Sequence, residues 1–167
     1  MAQPDDVQAW VESYWREIHA YLWRMLGDRQ DAEDCLQDTF VRALRHSGGE
    51  AIRAPRAWLY AIATNTARSR LRRNRRERAE GISLDEENEE NQLAAPEPNL
   101  MRERLEEVRQ KVDALPAKQR EALLLRRYQG MGYDEIAKVL GGSPQAARAN
   151  VYQAVKKLKE AFPEESR

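Results

Sequence analysis

The sequence predicts an all-α protein: an N-terminal helical bundle and a C-terminal helix-turn-helix bundle joined by an acidic flexible linker. Three observations point there. Apolar residues recur at spacings of three and four, with no strand-like alternation and no internal repeat. Glycines, prolines and capping residues fall where such helices need ends. Residues 79–100 hold seven acids, no base and two prolines, too little apolar content to offset the entropy of ordering. That stretch divides the 167-residue chain into 1–78 and 101–167, a length suited to one or two small domains.

The first helix is marked by Val7, Trp10, Val11, Tyr14, Trp15, Ile18, Tyr21, Leu22, Met25 and Leu26, with Gly27 as its stop. A second starts near Asp31, an acceptable N-cap, and runs to about Arg45. Its apolar stripe is Leu36, Phe40, Ala43 and Leu44, while Asp34, Gln37, Asp38 and Val41 fall on a more exposed face. Pro55 suits the first turn of a third helix, which reaches about Arg78. Leu59, Ile62 and Thr66 mark its inward side, and Trp58, Ala61, Asn65, Arg68, Ser69, Arg72 and Arg76 cluster on another. After the linker, Met101, Leu105, Val108, Val112 and Leu115 resume the helical period. Pro116 opens a helix containing Ala122 to Leu125 and Tyr128, and a short helix follows from Asp134 to Leu140. Gly141-Gly142 then precede Ser143 as N-cap and Pro144 as first helical residue of a last helix, with Ala147, Val151, Val155, Leu158 and Phe162 on one face.

The formal net charge is zero, with 28 bases and 28 acids, but the signs are segregated. Residues 1–38 carry −6, residues 39–78 carry +9, residues 79–100 carry −7 and residues 101–167 carry +4. A nucleic acid would therefore meet a local +9. The lone Cys35 excludes a disulfide framework and a cysteine-based zinc site, and His19 and His46 are too far apart to suggest a metal centre. No run approaches 18 apolar residues, and the start lacks a basic-then-apolar pattern, so neither a membrane span nor a signal peptide is expected. The expected location is the cytoplasm.

Three segments carry function. The stretch DEIAKVL-GGS-PQAARANVYQAVKKLK has the form of a helix-turn-helix, in which the second helix enters the major groove. Gln145, Ala146, Arg148, Ala149, Asn150, Tyr152 and Gln153 lie away from its apolar stripe; Gln and Asn can pair with adenine, Arg with guanine or phosphate. A helical hairpin with a polar outer face has the same pattern. The run TARSRLRRNRRER places seven Arg within Arg68–Arg78, suited to phosphates and more than a helix C-terminus requires. Trp58 and Tyr60 lie just upstream and could stack on unpaired bases, although a helical Trp is more often core. The acidic stretch DAEDCLQDTFVRAL fits either a solubility face or a docking face for a basic protein.

Taken together, DAEDCLQDTFVRAL, PRAWLYAIATNTARSRLRR and LPAKQREALLLRRYQGMGYDEIAKVLGGS with its following helix resemble a bacterial sigma factor of the extracytoplasmic-function group of the sigma-70 family, the kind with regions 2 and 4 only. The resemblance spans about residues 7–78 and 101–162. It implies core RNA polymerase, through its β′ clamp and β subunits, and promoter DNA as partners, with an anti-sigma factor as a further candidate. It assigns polymerase binding to Asp34, Gln37, Asp38, Phe40 and Val41. Recognition and opening of the −10 element fall to the loop 46–56 and the third helix, through Arg53, Arg56, Tyr60, Asn65, Arg68, Arg72 and Arg76. Reading of the −35 element falls to Gln145, Ala146, Arg148, Ala149, Asn150 and Tyr152. The chain departs from the pattern twice. Its loop lacks an aromatic residue, Ile52 being the nearest large apolar side chain, and the usual G-T-V-K-S-R is Gln145-Ala146-Ala147-Arg148-Ala149-Asn150. The hydroxyls being absent, −35 sequence preference does not transfer.

The expected function is promoter-directed transcription initiation without catalysis, cofactor or metal. A stand-alone helix-turn-helix regulator is the rival, but it leaves the arginine run and the acidic helix without a role. An enzyme, such as a nuclease acting on the DNA it binds, is the second rival, and the sequence has no carboxylate cluster beside a His pair, no glycine-rich phosphate loop and no credible nucleophile for it.

Overall fold

The computed structural model describes residues 4–46, 52–82 and 99–163, and these contain seven helices and no strand. The acidic run Asp85–Glu90 and residues 47–51 of the loop 46–56 lie outside the described residues. Helix α1 spans Pro4–Leu26 and is closed by Gly27 at φ +70, a left-handed conformation that glycine adopts without strain. Helix α2 (Arg29–Arg45) is capped three residues before the expected position. Asp28, not Asp31, is the N-cap: its carboxylate accepts the Asp31 N–H at 2.8 Å. Helix α3 (Pro55–Ala79) carries Pro55 in its first turn, where no N–H is needed.

The C-terminal helices are α4 (Leu100–Asp113), α5 (Ala117–Arg127), α6 (Tyr133–Leu140) and α7 (Pro144–Ala161). Gly141 and Gly142, at φ +74 and +113, make the turn between α6 and α7. Ser143 then caps α7 by accepting the Ala146 N–H at 3.1 Å, as the sequence leads one to expect.

Helices α1, α2 and α3 pack as one bundle and α5, α6 and α7 as another, with α4 lying lightly on α7. Periodicity foresaw most of the buried set: Ile18, Tyr21, Leu22, Met25, Leu36, Phe40, Leu59, Ala147 and Val151. It erred at Trp15 on α1 and Leu44 at the end of α2, both exposed, and on α4, where Met101 and Leu105 are exposed and no residue is fully buried.

The two bundles are packed on each other. Helix α3 lies against α6 and α1 against α5, so one continuous apolar cluster runs from Val7 to Val151. Leu125, Met131 and Ile136 are fully buried in it, together with Tyr60, Ala63 and Ala67 of α3. Helix α3 thus buries two sides, one inside its own bundle and one against the other bundle.

Candidate nucleic-acid interface and docking faces

On α7 the side chains expected to meet DNA stand outward. Gln145, Ala146, Arg148, Ala149, Tyr152 and Gln153 are exposed, Asn150 is half-buried, and Tyr152 is 65% accessible. Ala147 and Val151 face inward and fix the rotation of the helix. With α6 and the glycine turn, this is the geometry of a helix-turn-helix with an unencumbered second helix.

Helix α3 presents a mixed surface. Asn65, Arg72 and Arg76 are exposed, and Arg53 is exposed ahead of the helix. The contacts of Arg70, Arg72, Arg73 and Asn74 stay local or turn to α2. Arg72 donates to Ser69 Oγ at 3.1 Å, and Arg73 pairs with Glu77 at 2.8 Å. Arg70 bridges Asp31 at 3.2 Å and Asp34 at 3.6 Å, and Asn74 donates to Asp31 at 2.8 Å.

The proximal residues face the other bundle. Arg56 meets Glu17 through two bonds of 3.0 and 3.2 Å, the Gln129 carbonyl at 2.8 Å and Glu135 at 3.4 Å. The Tyr60 hydroxyl donates to Gln129 Oε1 at 2.9 Å, and the ring is fully buried. Arg68 gives Nε and Nη2 to the two carboxylate oxygens of Glu121, which is only 2% exposed. Hydrogen bonding to Glu17 and Glu121 pushes the Arg56 and Arg68 guanidinium pKa values further up, so both stay cationic. Burial pushes the phenols of Tyr60 and Tyr21 far above their ordinary range, and the Tyr21 hydroxyl bonds Thr64 Oγ1 at 2.9 Å. Trp58 is half-buried, edge-on to Trp10 at 5.9 Å, and lines with His46, Ile52, Arg53 and Lys138 an open cavity of about 490 Å³.

The acidic face of α2 is partly engaged. Gln37 and Val41 are exposed, Asp38 pairs with Arg42 at 2.9 Å, and Asp34 accepts from Gln30 at 3.0 Å besides meeting Arg70. Phe40 is 6% exposed, its ring stacked on Trp15 at 6.5 Å, so a partner would meet Trp15 first. Trp15 and Leu44, which the sequence places on apolar stripes, are exposed apolar companions of this face.

Glu121 and Gln129 were missed as well. Glu121 precedes Leu124 and Leu125 by three and four residues, so an acid on a buried stripe was visible; its partner 53 residues away was not. Burial pushes the Cys35 thiol up, in keeping with a core side chain. No group of His, Cys, Asp and Glu fit to hold a metal occurs among the described residues, nor does a helix long and apolar enough to cross a membrane.

Comparison with known proteins follows the same division. Residues 10–77 match Sigma-70 region 2 and residues 105–158 match Sigma-70, region 4. The chain is 32% identical over 164 residues to RNA polymerase sigma factor YlaC of Bacillus subtilis, covering 95% of this chain and 93% of that protein. It is 33% identical over 151 residues to RNA polymerase sigma factor CarQ of Myxococcus xanthus, covering 88% and 83%. In fold it is similar to CnrH, solved with the cytosolic domain of CnrY, at a TM-score of 0.70 and 22% identity over 97% of this chain and 90% of that one. It is likewise similar to RpoE of Bartonella quintana, solved with the anti-sigma factor NepR, at a TM-score of 0.69 and 22% identity over 93% and 95%.

Proposed function

The chain belongs to the extracytoplasmic-function group of the sigma-70 family, RNA polymerase sigma factors of regions 2 and 4 that direct transcription initiation, and we propose that its helices divide promoter recognition as follows. Residues 1–78 form the unit that docks on core polymerase and opens the −10 element, residues 79–100 the tether, and residues 101–167 the unit that reads the −35 element. Gln145, Arg148 and Asn150 supply base-edge or phosphate contacts, Ala146 and Ala149 allow close approach, and Tyr152 stands beside them. The outward stance of α7 on its Ser143 cap carries this assignment.

At the −10 element, Arg53, Arg56, Arg68, Arg72 and Arg76 hold the strand, Tyr60 lies upstream of the arginine run, and Asn65 offers donors and an acceptor to an unpaired base. Opening is binding energy applied to DNA deformation: unstacking a base costs a few kcal/mol and is offset by contacts to the extruded strand. Asp34, Gln37, Asp38 and Val41, with Phe40 behind Trp15, form the face for the polymerase clamp, the acids suiting a basic partner. A tether of 22 residues reaches at most about 75 Å, comparable to two turns of DNA at about 34 Å each. Both elements can therefore be held at once.

No residue is assigned a catalytic role, the cytoplasm is the proposed location, and an anti-sigma factor is a candidate partner, as NepR is for RpoE of Bartonella quintana. Run-off transcription with core polymerase on genomic fragments tests the reading. It predicts discrete transcripts that vanish with Asp34→Lys/Asp38→Lys; factor-dependent transcripts unaffected by that double change would contradict the docking face.

A further inference from the structure

Helix α7 carries two alanines where its outward face is most open to a groove. Ala147, Val151 and Ala154 are buried and set the inward direction. Ala149, two residues from both Ala147 and Val151, lies about 160° round the helix from each, at the centre of the opposite side. Ala146 is exposed one turn earlier. Gln145 and Gln153, four residues to either side of Ala149, complete the central stripe and are exposed as well. Arg148 and Asn150 stand at its two edges, each about 60° from a buried residue, Val151 and Ala147 respectively. Further charges come only later: Lys156, Lys157, Lys159 and Glu160 are exposed in the last turns. The first three turns thus set methyl groups and amides outward, with their one formal charge at the rim.

Each of these groups is selective about the base edge it can meet. A carboxamide pairs through two bonds with adenine, while an alanine methyl has no polar partner to offer and gains only against the C5-methyl of thymine. Reading cytosine through its amino group takes a carboxylate, and α7 has none before Glu160. The hydroxyls that the family pattern has at 146 and 149, able to meet several base edges, are absent. We propose that α7 reads A·T pairs: Ala149 and Ala146 pack against the C5-methyl groups of thymines on neighbouring base pairs, and Gln145 takes an adjacent adenine. The spacing suits this, since three residues advance about 4.5 Å along a helix and base pairs follow each other at about 3.4 Å. This preference rests on the assignment of α7 to the −35 element, and it comes from this chain's own side chains where the family pattern supplies none.

The test uses holoenzyme, core polymerase with the full chain, on a fluorescein-labelled duplex carrying a promoter mapped by run-off transcription. Each thymine of its −35 element is replaced in turn by deoxyuridine, which deletes the C5-methyl and leaves every hydrogen-bonding group in place. Loss of one methyl contact should weaken binding about fourfold, at two neighbouring base pairs and at no other thymine. Ala149→Gly, with thermal melts confirming folding, should lose that sensitivity at one thymine and keep it at the neighbour held by Ala146. Ala149→Ser serves if the glycine variant folds poorly. Binding that ignores every replacement, or a uracil effect undiminished in the folded variant, overturns the methyl contact. A mixed sequence in place of the whole −35 element separates this from the underlying assignment. Binding that falls with the mixed sequence but ignores uracil overturns the methyl contact and leaves α7 as the −35 reader. Binding indifferent to the mixed sequence overturns the −35 assignment itself.

Discussion

On α7, Gln145, Arg148, Ala149 and Tyr152 stand clear of the bundle; on α3, Arg56, Tyr60 and Arg68 are turned onto another helix. Both helices are held by an apolar stripe, yet α7 buries one side and α3 buries two. The consequence is a difference in what each face can do unaided. On the proposed reading the α7 surface is open to duplex DNA, whereas the α3 surface forms a joint between the bundles. A residue there would then have a structural duty in one state and a DNA duty in the other, while the exposed residues of α7 would have only the second.

Substitutions should expose that asymmetry. The largest effect is expected from Arg68→Ala, which leaves the Glu121 carboxylate buried without its partner and should lower unfolding free energy by about 3 kcal/mol in denaturant melts. An unchanged midpoint would mean that the two bundles are not joined in solution. Arg148→Ala should leave the melt unchanged and weaken promoter binding by roughly 1–3 kcal/mol. Loss at one base position indicates readout, and uniform loss with a shallower salt slope indicates a phosphate contact. Ser143→Ala removes the α7 cap and should cost about 1 kcal/mol of stability, with a matching small loss at the −35 element only.

The smallest effect at neutral pH lies beneath the joint. Burial disfavours the phenolates of Tyr21 and Tyr60, so the folded chain holds these protons more tightly than the unfolded chain. Their contribution is whole below about pH 10, the unfolded value, and is lost as pH rises toward the folded values. The melting temperature should therefore fall above about pH 10, less steeply in Tyr21→Phe, and an equal slope in both proteins would contradict the burial.

Helices that bury a single stripe were largely legible, Trp15 and Leu44 apart. Val7 to Leu26 and Ala147 to Phe162 could be read from spacing, and the Ser143-Pro144 start from capping chemistry alone. Helix α3 resisted the same reading. Leu59 and Thr66 face one bundle while Tyr60, Ala63 and Ala67 also lie in the shared core, so no single apolar direction stands out along its length. From its place upstream of the arginine run Tyr60 could stack on a base, yet it is buried and bonded to Gln129, 69 residues on, and no local pattern encodes that. On α4 the period was real but the stripe at Met101 and Leu105 has no covering helix, showing that periodicity reports amphipathicity and leaves the partner unspecified.

The most direct measurement places a photo-crosslinking p-benzoylphenylalanine at Asn65 or at Ala149 in polymerase holoenzyme and maps the attached promoter nucleotides. Both positions are exposed, one on each helix proposed to meet DNA. The account predicts attachment from 65 to the unpaired −10 strand and from 149 to duplex −35 DNA, about two helical turns apart. Attachment from 65 should require core polymerase. Crosslinks from both positions to one segment, or from 149 alone in an open complex, would contradict it.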